Sequence, residues 1–231
     1  MRKFIVLTAI AALSFALAPA AQADIITVAG ITASSDYYGD ALGQYPGMWM
    51  SPGVIDGNGL DVTGLLHSQI GGDNSAGASN MWFSGKSTVV ADQWLQIDLG
   101  GVYDISSMNV WNEYEGWPAG RGTNAVVITY GTEITGSMAQ GTVAPITSPG
   151  TLSITNFAQA PATNPFTGET FTEAFTAQYI LFDIGSNYGG ISTGEGLVGL
   201  AEVQFDGVPE PATMSLLAIG GLALIRRRRR A

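Results

Sequence analysis

Cysteine is absent from all 231 residues. No disulfide, thiolate nucleophile or cysteine-ligated metal is therefore open to this chain. Histidine occurs once, at His67. One imidazole is too little for a zinc site, and a Ser-His-Asp triad would have to use it without a G-x-S-x-G elbow. Basic side chains are scarce as well. Arg2 and Lys3 open the chain and five arginines fill positions 226–230, which leaves Lys86 and Arg121 between them. Residues 24–207 hold eighteen of the nineteen acidic residues with those two basic ones, a formal charge of −16 against −10 for the whole chain. A body this poor in cations cannot bind nucleic acid through its phosphates, so no nucleic-acid partner is expected. Gly189-Gly190 is followed by neither a helix nor a lysine, so it is no phosphate loop. Glu113 and Glu115, two residues apart on one loop, cannot flank a glycosidic bond from opposite sides. These absences point to a protein that is not an enzyme.

Convincing amphipathic helices are lacking too, and what replaces them is alternation. In Trp94–Glu115, WLQIDLGGVYDISSMNVWNEYE, the side chains of Leu95, Ile97 and Leu99 share one face. That period of two marks a half-buried strand, and Gly100-Gly101 is expected to break it. A second apolar run, Ile105–Trp111, turns abruptly polar at Asn112, Glu113, Tyr114 and Glu115. Further strands are expected at 25–28, 125–130, 178–184 and 197–205. The intervening glycine, proline and threonine argue an all-β sandwich or barrel. Residues 131–176 read as short strands and loops without clear boundaries.

The two ends are set apart from this body. Residues 1–23 read as a secretory signal, with Arg2 and Lys3, an apolar run Phe4–Leu17, and an A-x-A site at Ala21-Gln22-Ala23. A retained anchor is the alternative. Residues 24–207 then form one domain, large enough for its own core.

WLQIDLGGVYDISSMNVWN resembles the central motif of the F5/8 type C, or discoidin-like, domains. QYILFDIGSNYGG followed by VGLAEVQF resembles their closing strands, while VIDGNG (54–59) and Met81-Trp82-Phe83-Ser84 match earlier segments in the right order. About twenty residues between those two earlier segments depart from the tighter spacing of many members. The resemblance implies a jelly-roll β-sandwich of the galactose-binding-like type that binds carbohydrate or lipid head groups in its loops. It also implies a structural Ca²⁺, for which the matching candidates are Asp56, Asn58, Asp61 and Glu202. Calcium takes six to eight oxygens, and glycine-rich loops wrap it well. Asp56-Gly57-Asn58-Gly59 is equally the chemistry of a plain tight turn.

Sugar recognition needs an aromatic face and a few polar groups, which makes Trp111, Asn112, Glu113, Tyr114 and Arg121 the ligand-binding candidates, with His67 as an outlier. Arg121 can equally pair with Glu113 or Glu115.

The last 24 residues, VPEPATMSLLAIGGLALIRRRRRA, begin with Pro209-Glu210-Pro211. An apolar run Ala212–Ile225 follows, and Arg226, Arg227 and Arg228 open the arginine cluster. Fourteen residues at ~1.5 Å each make a marginal span of a ~30 Å bilayer unless the arginines snorkel, and the positive-inside rule keeps those arginines cytoplasmic. This order resembles the PEP-CTERM sorting signal. The resemblance implies a Gram-negative bacterium, an exosortase as partner, transient anchoring in the inner membrane by a transmembrane sorting helix, and delivery to the cell surface or extracellular matrix. A plain C-terminal anchor is the alternative. The combined expectation is an exported β-sandwich that binds exopolysaccharide or another glycan. The other reading is a structural or adhesive surface protein without a small-molecule ligand.

Overall fold

The computed structural model describes residues 23–37, 51–68, 80–85, 90–113, 120–161, 163, 165–190 and 196–210. The apolar run 4–17 and the tail from Pro211 onward lie outside these residues, so the two terminal helices expected from the sequence do too. Among the described residues, no helix is long and apolar enough to cross a membrane.

The alternating stretch Leu95, Ile97, Leu99 is the inner face of β5, Gln93–Asn112, a strand of 20 residues. Gly100-Gly101 does not end it. Gly100 takes φ +80° and bends the chain, yet pairing resumes beyond the bend. Glycine enters that conformation without the clash of a Cβ, and both arms of the bent strand keep partners. The first arm pairs with β2 (Gly30–Ala33) and with most of β10 (Phe175–Ile184), whose residues Phe175–Ala177 continue across a register shift onto Ile105–Tyr103 beyond the bend. The second pairs with β11 (Gly199–Pro209) and β9 (Glu169–Phe171). On its other edge β10 pairs with β6 (Val126–Gly131), and β6 with β7 (Gly150–Thr151). Outside β5, β11 pairs with β1 (Asp24–Ile25) and β4 (Trp82–Phe83). All these pairings are antiparallel.

The bend folds the sheet onto itself. Leu95, Ile97, Ile128, Ile180 and Phe182 from one layer pack with Met108, Val110, Val203 and Phe205 from the other in a single buried core. An antiparallel β-sandwich, the fold class expected, is the result. Two bulges keep the apolar faces inward. Register shifts between Leu200 and Glu202, so Leu200 and Val203 both reach the core although three apart. A second shift beside Ser106 does the same for Ile105 and Met108. Without the extra residue each pair would straddle the sheet.

Two attachments cover outer faces. A two-stranded sheet, β3 (Leu66–His67) with β8 (Phe166–Thr167), lies over the β5–β11 layer. Beneath it a second cluster gathers Met81, Phe83, Trp111, Phe166 and Ala201. The other attachment comes from the region that composition left open. Residues 132–147 form a hairpin, with Ile134 bridging Ile146 and the Thr135 N–H donating to the Pro145 carbonyl at 2.8 Å. Gln96 projects outward from β5 and is fully buried under this hairpin. Its Nε2 donates to the Ala144 carbonyl at 2.7 Å, and its Oε1 accepts the Ala144 N–H at 2.9 Å.

A Gln96→Ala change leaves both Ala144 groups without their partner, a loss of about 2–3 kcal/mol of stability. Urea unfolding should show that loss, together with faster hydrogen exchange at the Ala144 amide. An unchanged midpoint and unchanged exchange would remove Gln96 as the anchor.

Candidate functional site

At the end of β5 the predicted sugar-binding residues turn inward. Trp111 is 3% exposed and belongs to the second cluster. Its Nε1 donates to the Leu65 carbonyl at 3.2 Å. Gly168 lies so close to the indole that a Cβ there would sit 2.7 Å from it. The expectation of an open aromatic platform is therefore corrected: both layers around Trp111 use it as packing surface. Asn112 is buried as well, and its amide is saturated. Its Nδ2 donates to the carbonyls of Thr123 (2.7 Å) and Ala158 (2.9 Å). Its Oδ1 accepts from the N–H groups of Glu113 (2.8 Å) and Thr123 (2.9 Å). No bonding capacity remains for a ligand, so Asn112 is a clamp between the end of β5 and the segments at Thr123 and Ala158. Glu113 is buried beside it. Arg121 is half-buried with its guanidinium 5.7 Å from the centroid of the Phe83 ring, a cation–π contact. Tyr114 lies outside the described residues, as do Pro211, Arg226, Arg227 and Arg228.

The four candidate cation ligands separate into a pair, a linker and an outlier. Asp56 forms a turn with Asn58: Oδ1 accepts the Asn58 N–H at 2.8 Å and Oδ2 accepts Asn58 Nδ2 at 2.7 Å. The tight turn allowed by the sequence is thus present. Glu202 ties that turn to β11, its Oε1 accepting the Gly57 N–H at 3.2 Å. The carboxylate is 1% exposed, and its Oε2 has no hydrogen-bond partner among the described residues. Burial pushes this carboxyl up to about 9, and the nearby charge of Asp56 adds to the effect. Asp61 stands apart. Its exposed carboxylate accepts from Thr63, Leu65 and Leu66 within its own loop, which holds its pKa below the usual range. Asp61 is a loop cap, since its oxygens face its own backbone. Among the described residues no group of three or more carboxylates and histidines is gathered at metal-binding range.

His67 is fully buried in β3, beside Gly59 and tilted against Phe166 with ring centroids 6.1 Å apart. Burial lowers its pKa to about 4, outweighing the Asn58 backbone and the Asp56 charge, which favour the imidazolium. A neutral, enclosed imidazole is out of reach of an external sugar.

Sequence reasoning missed a cleft of about 590 Å³ between the outer face of the β5–β10 layer and the hairpin 132–147. Asp98, Thr132, Glu133, Ser137, Met138 and Tyr179 are among its walls. Asp98 Oδ1 accepts from the Gly100 N–H at 2.8 Å and from Gln178 Nε2 at 3.2 Å. Gln178 Nε2 also donates to the Tyr179 hydroxyl at 3.0 Å. Desolvation and the Asp98 charge raise the pKa of Tyr179. The one hint in the sequence was that Asp98 and Tyr179 sit on the polar sides of alternating strands. Nothing in composition says that a hairpin folds over them.

Residues 207–230 match the family model of the PEP-CTERM protein-sorting motif. No curated protein matches the chain. Among solved structures the body is similar to a truncated AlyQ with CBM32 and alginate lyase domains, at 18% identity and a TM-score of 0.47. That match covers 84% of this chain but 35% of the other. A family 32 carbohydrate-binding module of Clostridium perfringens, crystallised with GalNAc-β-1,3-galactose, is similar at 13% identity and a TM-score of 0.49, covering 79% of this chain and 99% of that one. A second module from the same organism, from NanJ and in complex with galactose, gives 17% identity, a TM-score of 0.45, and coverages of 80% and 98%. The fold assignment rests on the strand pairing described above.

Glu202 makes stability depend on pH in chelator. Its carboxyl ionises near 4.5 in the unfolded chain and near 9 in the folded one. Between those values the folded state holds the extra proton, so stability is full below about 4.5 and declines as pH rises through 9. The slope approaches ~1.4 kcal/mol per unit. His67 acts oppositely below about 6.5, since its proton is favoured in the unfolded chain. Denaturant unfolding between pH 7 and 9 should therefore show the decline in the native chain and a flatter profile in Glu202→Gln. Equal slopes would refute the assignment.

Proposed function

We propose that this chain is an exported, surface-sorted protein whose β-sandwich binds carbohydrate and performs no catalysis. The observation that carries the reading is the PEP-CTERM sorting motif at 207–230. A sorting motif is read by an exosortase at the inner membrane and directs the attached body outward, to the cell surface or the extracellular matrix of a Gram-negative bacterium. The glycan at hand there is the exopolysaccharide of that matrix. The body suits this role. Its regular strands form a rigid scaffold, and its loops and one outer face carry the polar groups.

A structural Ca²⁺ belongs to the same proposal. Buried Glu202 has one unpartnered oxygen and is linked through Gly57 to the turn that holds Asp56. An unpaired buried carboxylate is costly, and a cation there would remove the cost. Asp56, Glu202 and backbone carbonyls of the 56–59 turn would hold it, with Asn58 steering the Asp56 carboxylate. Bound calcium would supply charge compensation and fasten the early loop to the closing strand.

The second reading is a structural or adhesive protein without a small ligand. The observation in its favour is the burial of Trp111 and Asn112, which makes the end of β5 a packed joint.

The first of two measurements separates these readings, and the second tests the calcium. Full-length chain in detergent should bind purified exopolysaccharide or one class of glycan on an array. A folded chain that binds none supports the adhesive reading. Calcium at about a hundredfold over its Kd should raise the melting temperature of chelator-treated chain by about 5–10 °C. Asp56→Asn should lose most of that rise, and an unchanged transition with calcium removes the metal from the account.

A further inference from the structure

The cleft under the 132–147 hairpin points to a more specific ligand. Resting on the glycan-binding reading above, we propose that this cleft is the sugar subsite and that it selects amine-bearing sugars, such as oligomers of glucosamine, over acetylated or acidic ones.

The argument starts from what walls the cleft. Its volume of about 590 Å³ is that of a site for a small ligand. Tyr179 and Met138 supply surface against which the C–H face of a pyranose can lie. The hydroxyls of Thr132 and Ser137 can bond sugar hydroxyls. Charge then decides the class. Asp98 and Glu133 line the cleft, and among the described residues no basic one does. The Glu133 side chain makes no hydrogen bond to the described residues. Asp98 uses one oxygen on Gly100 and Gln178, which leaves Oδ2 for an incoming donor. A uronate would bring a third carboxylate into this space inside a body already at −16. An ammonium group brings the complementary charge and three donors.

The walls are also held in place before any ligand arrives. Buried Gln96 pins the hairpin through both of its amide groups. Thr147 closes the hairpin neck by donating to the Glu133 carbonyl at 2.9 Å. Gln140 joins it to the edge of β2, its Oε1 accepting the Ala33 N–H at 3.2 Å and its Nε2 donating to Asp36 at 3.1 Å. Little ordering is left to occur on binding, which favours affinity.

The test is calorimetric titration of the full-length chain in detergent with three tetrasaccharides: β-1,4-glucosamine, its N-acetylated counterpart, and oligomannuronate. The glucosamine oligomer should bind at least tenfold tighter than either of the others, and more weakly as salt is raised. Glu133→Gln should lower that affinity at least tenfold with an unchanged melting temperature, because its carboxylate bonds none of the described residues. Tyr179→Ala is the second variant, acting through the ring rather than the charge. Equal or tighter binding of the acetylated or acidic oligomer overturns the proposal, as does binding that both variants leave intact. If some other glycan binds and neither variant matters, the cleft falls and the glycan-binding reading stands. If no glycan binds the folded chain, both fall.

Discussion

The bend at Gly100 is the constraint on which the sandwich depends. One continuous strand supplies an edge to four others: β2 on its first arm, β9 and β11 on its second, and β10, which follows it across the bend through a register shift. A straight strand of twenty residues would span a single flat sheet and leave its apolar face open. Bent at one residue with positive φ, it turns the same alternation into two facing layers. A side chain at position 100 would meet the Ala29 Cβ at 2.8 Å as well as the backbone penalty, so the position has no slack. Each layer's register then follows from this one strand, and the two bulges near Ser106 and Ala201 correct the parity where the apolar spacing slips.

Polar side chains do the fastening where apolar area runs out. Gln96 holds the hairpin on one outer face, Asn112 joins the end of β5 to the segments at Thr123 and Ala158, and Glu202 ties the early turn to the last strand. All three are nearly inaccessible. They differ in completeness. Gln96 and Asn112 are satisfied at both ends of their amides, whereas Glu202 retains an idle oxygen and a neighbouring charge. Satisfied amides act as structure alone. An incompletely satisfied carboxylate is the costlier of the two arrangements to bury.

The strands were legible because their signal is local. Leu95, Ile97 and Leu99 alternate, 125–130 and 178–184 are dense in β-branched and aromatic residues, and each became part of a strand close to the expected position. The site was less legible because burial is not local. Trp111 followed by Asn112 and Glu113 reads as an aromatic next to polar groups, the composition of a sugar site. Their true partners, Leu65, Thr123, Ala158 and Gly168, lie between 10 and 60 residues away and carry no sequence mark of their role. The Asp-Gly-Asn turn fared better, since its own side chains make the turn and only Glu202 comes from afar. The hairpin 132–147 was opaque for a further reason. It is held by backbone bonds and by the side-chain amides of Gln96 and Gln140, so no apolar periodicity announces it.

One feature at the end of the chain bears on mechanics. Strand β11 does not stop before the sorting motif: Gly207, Val208 and Pro209 are paired with Ile105, Asp104 and Tyr103, and the Glu210 N–H still donates to the Val102 carbonyl. The first strand, β1, is paired with the same end of β11. Tension arriving through the tail therefore enters the sandwich with no slack to take up. Directed along β11, it loads the rungs of the β5–β11 ladder together, in shear, instead of peeling them one by one.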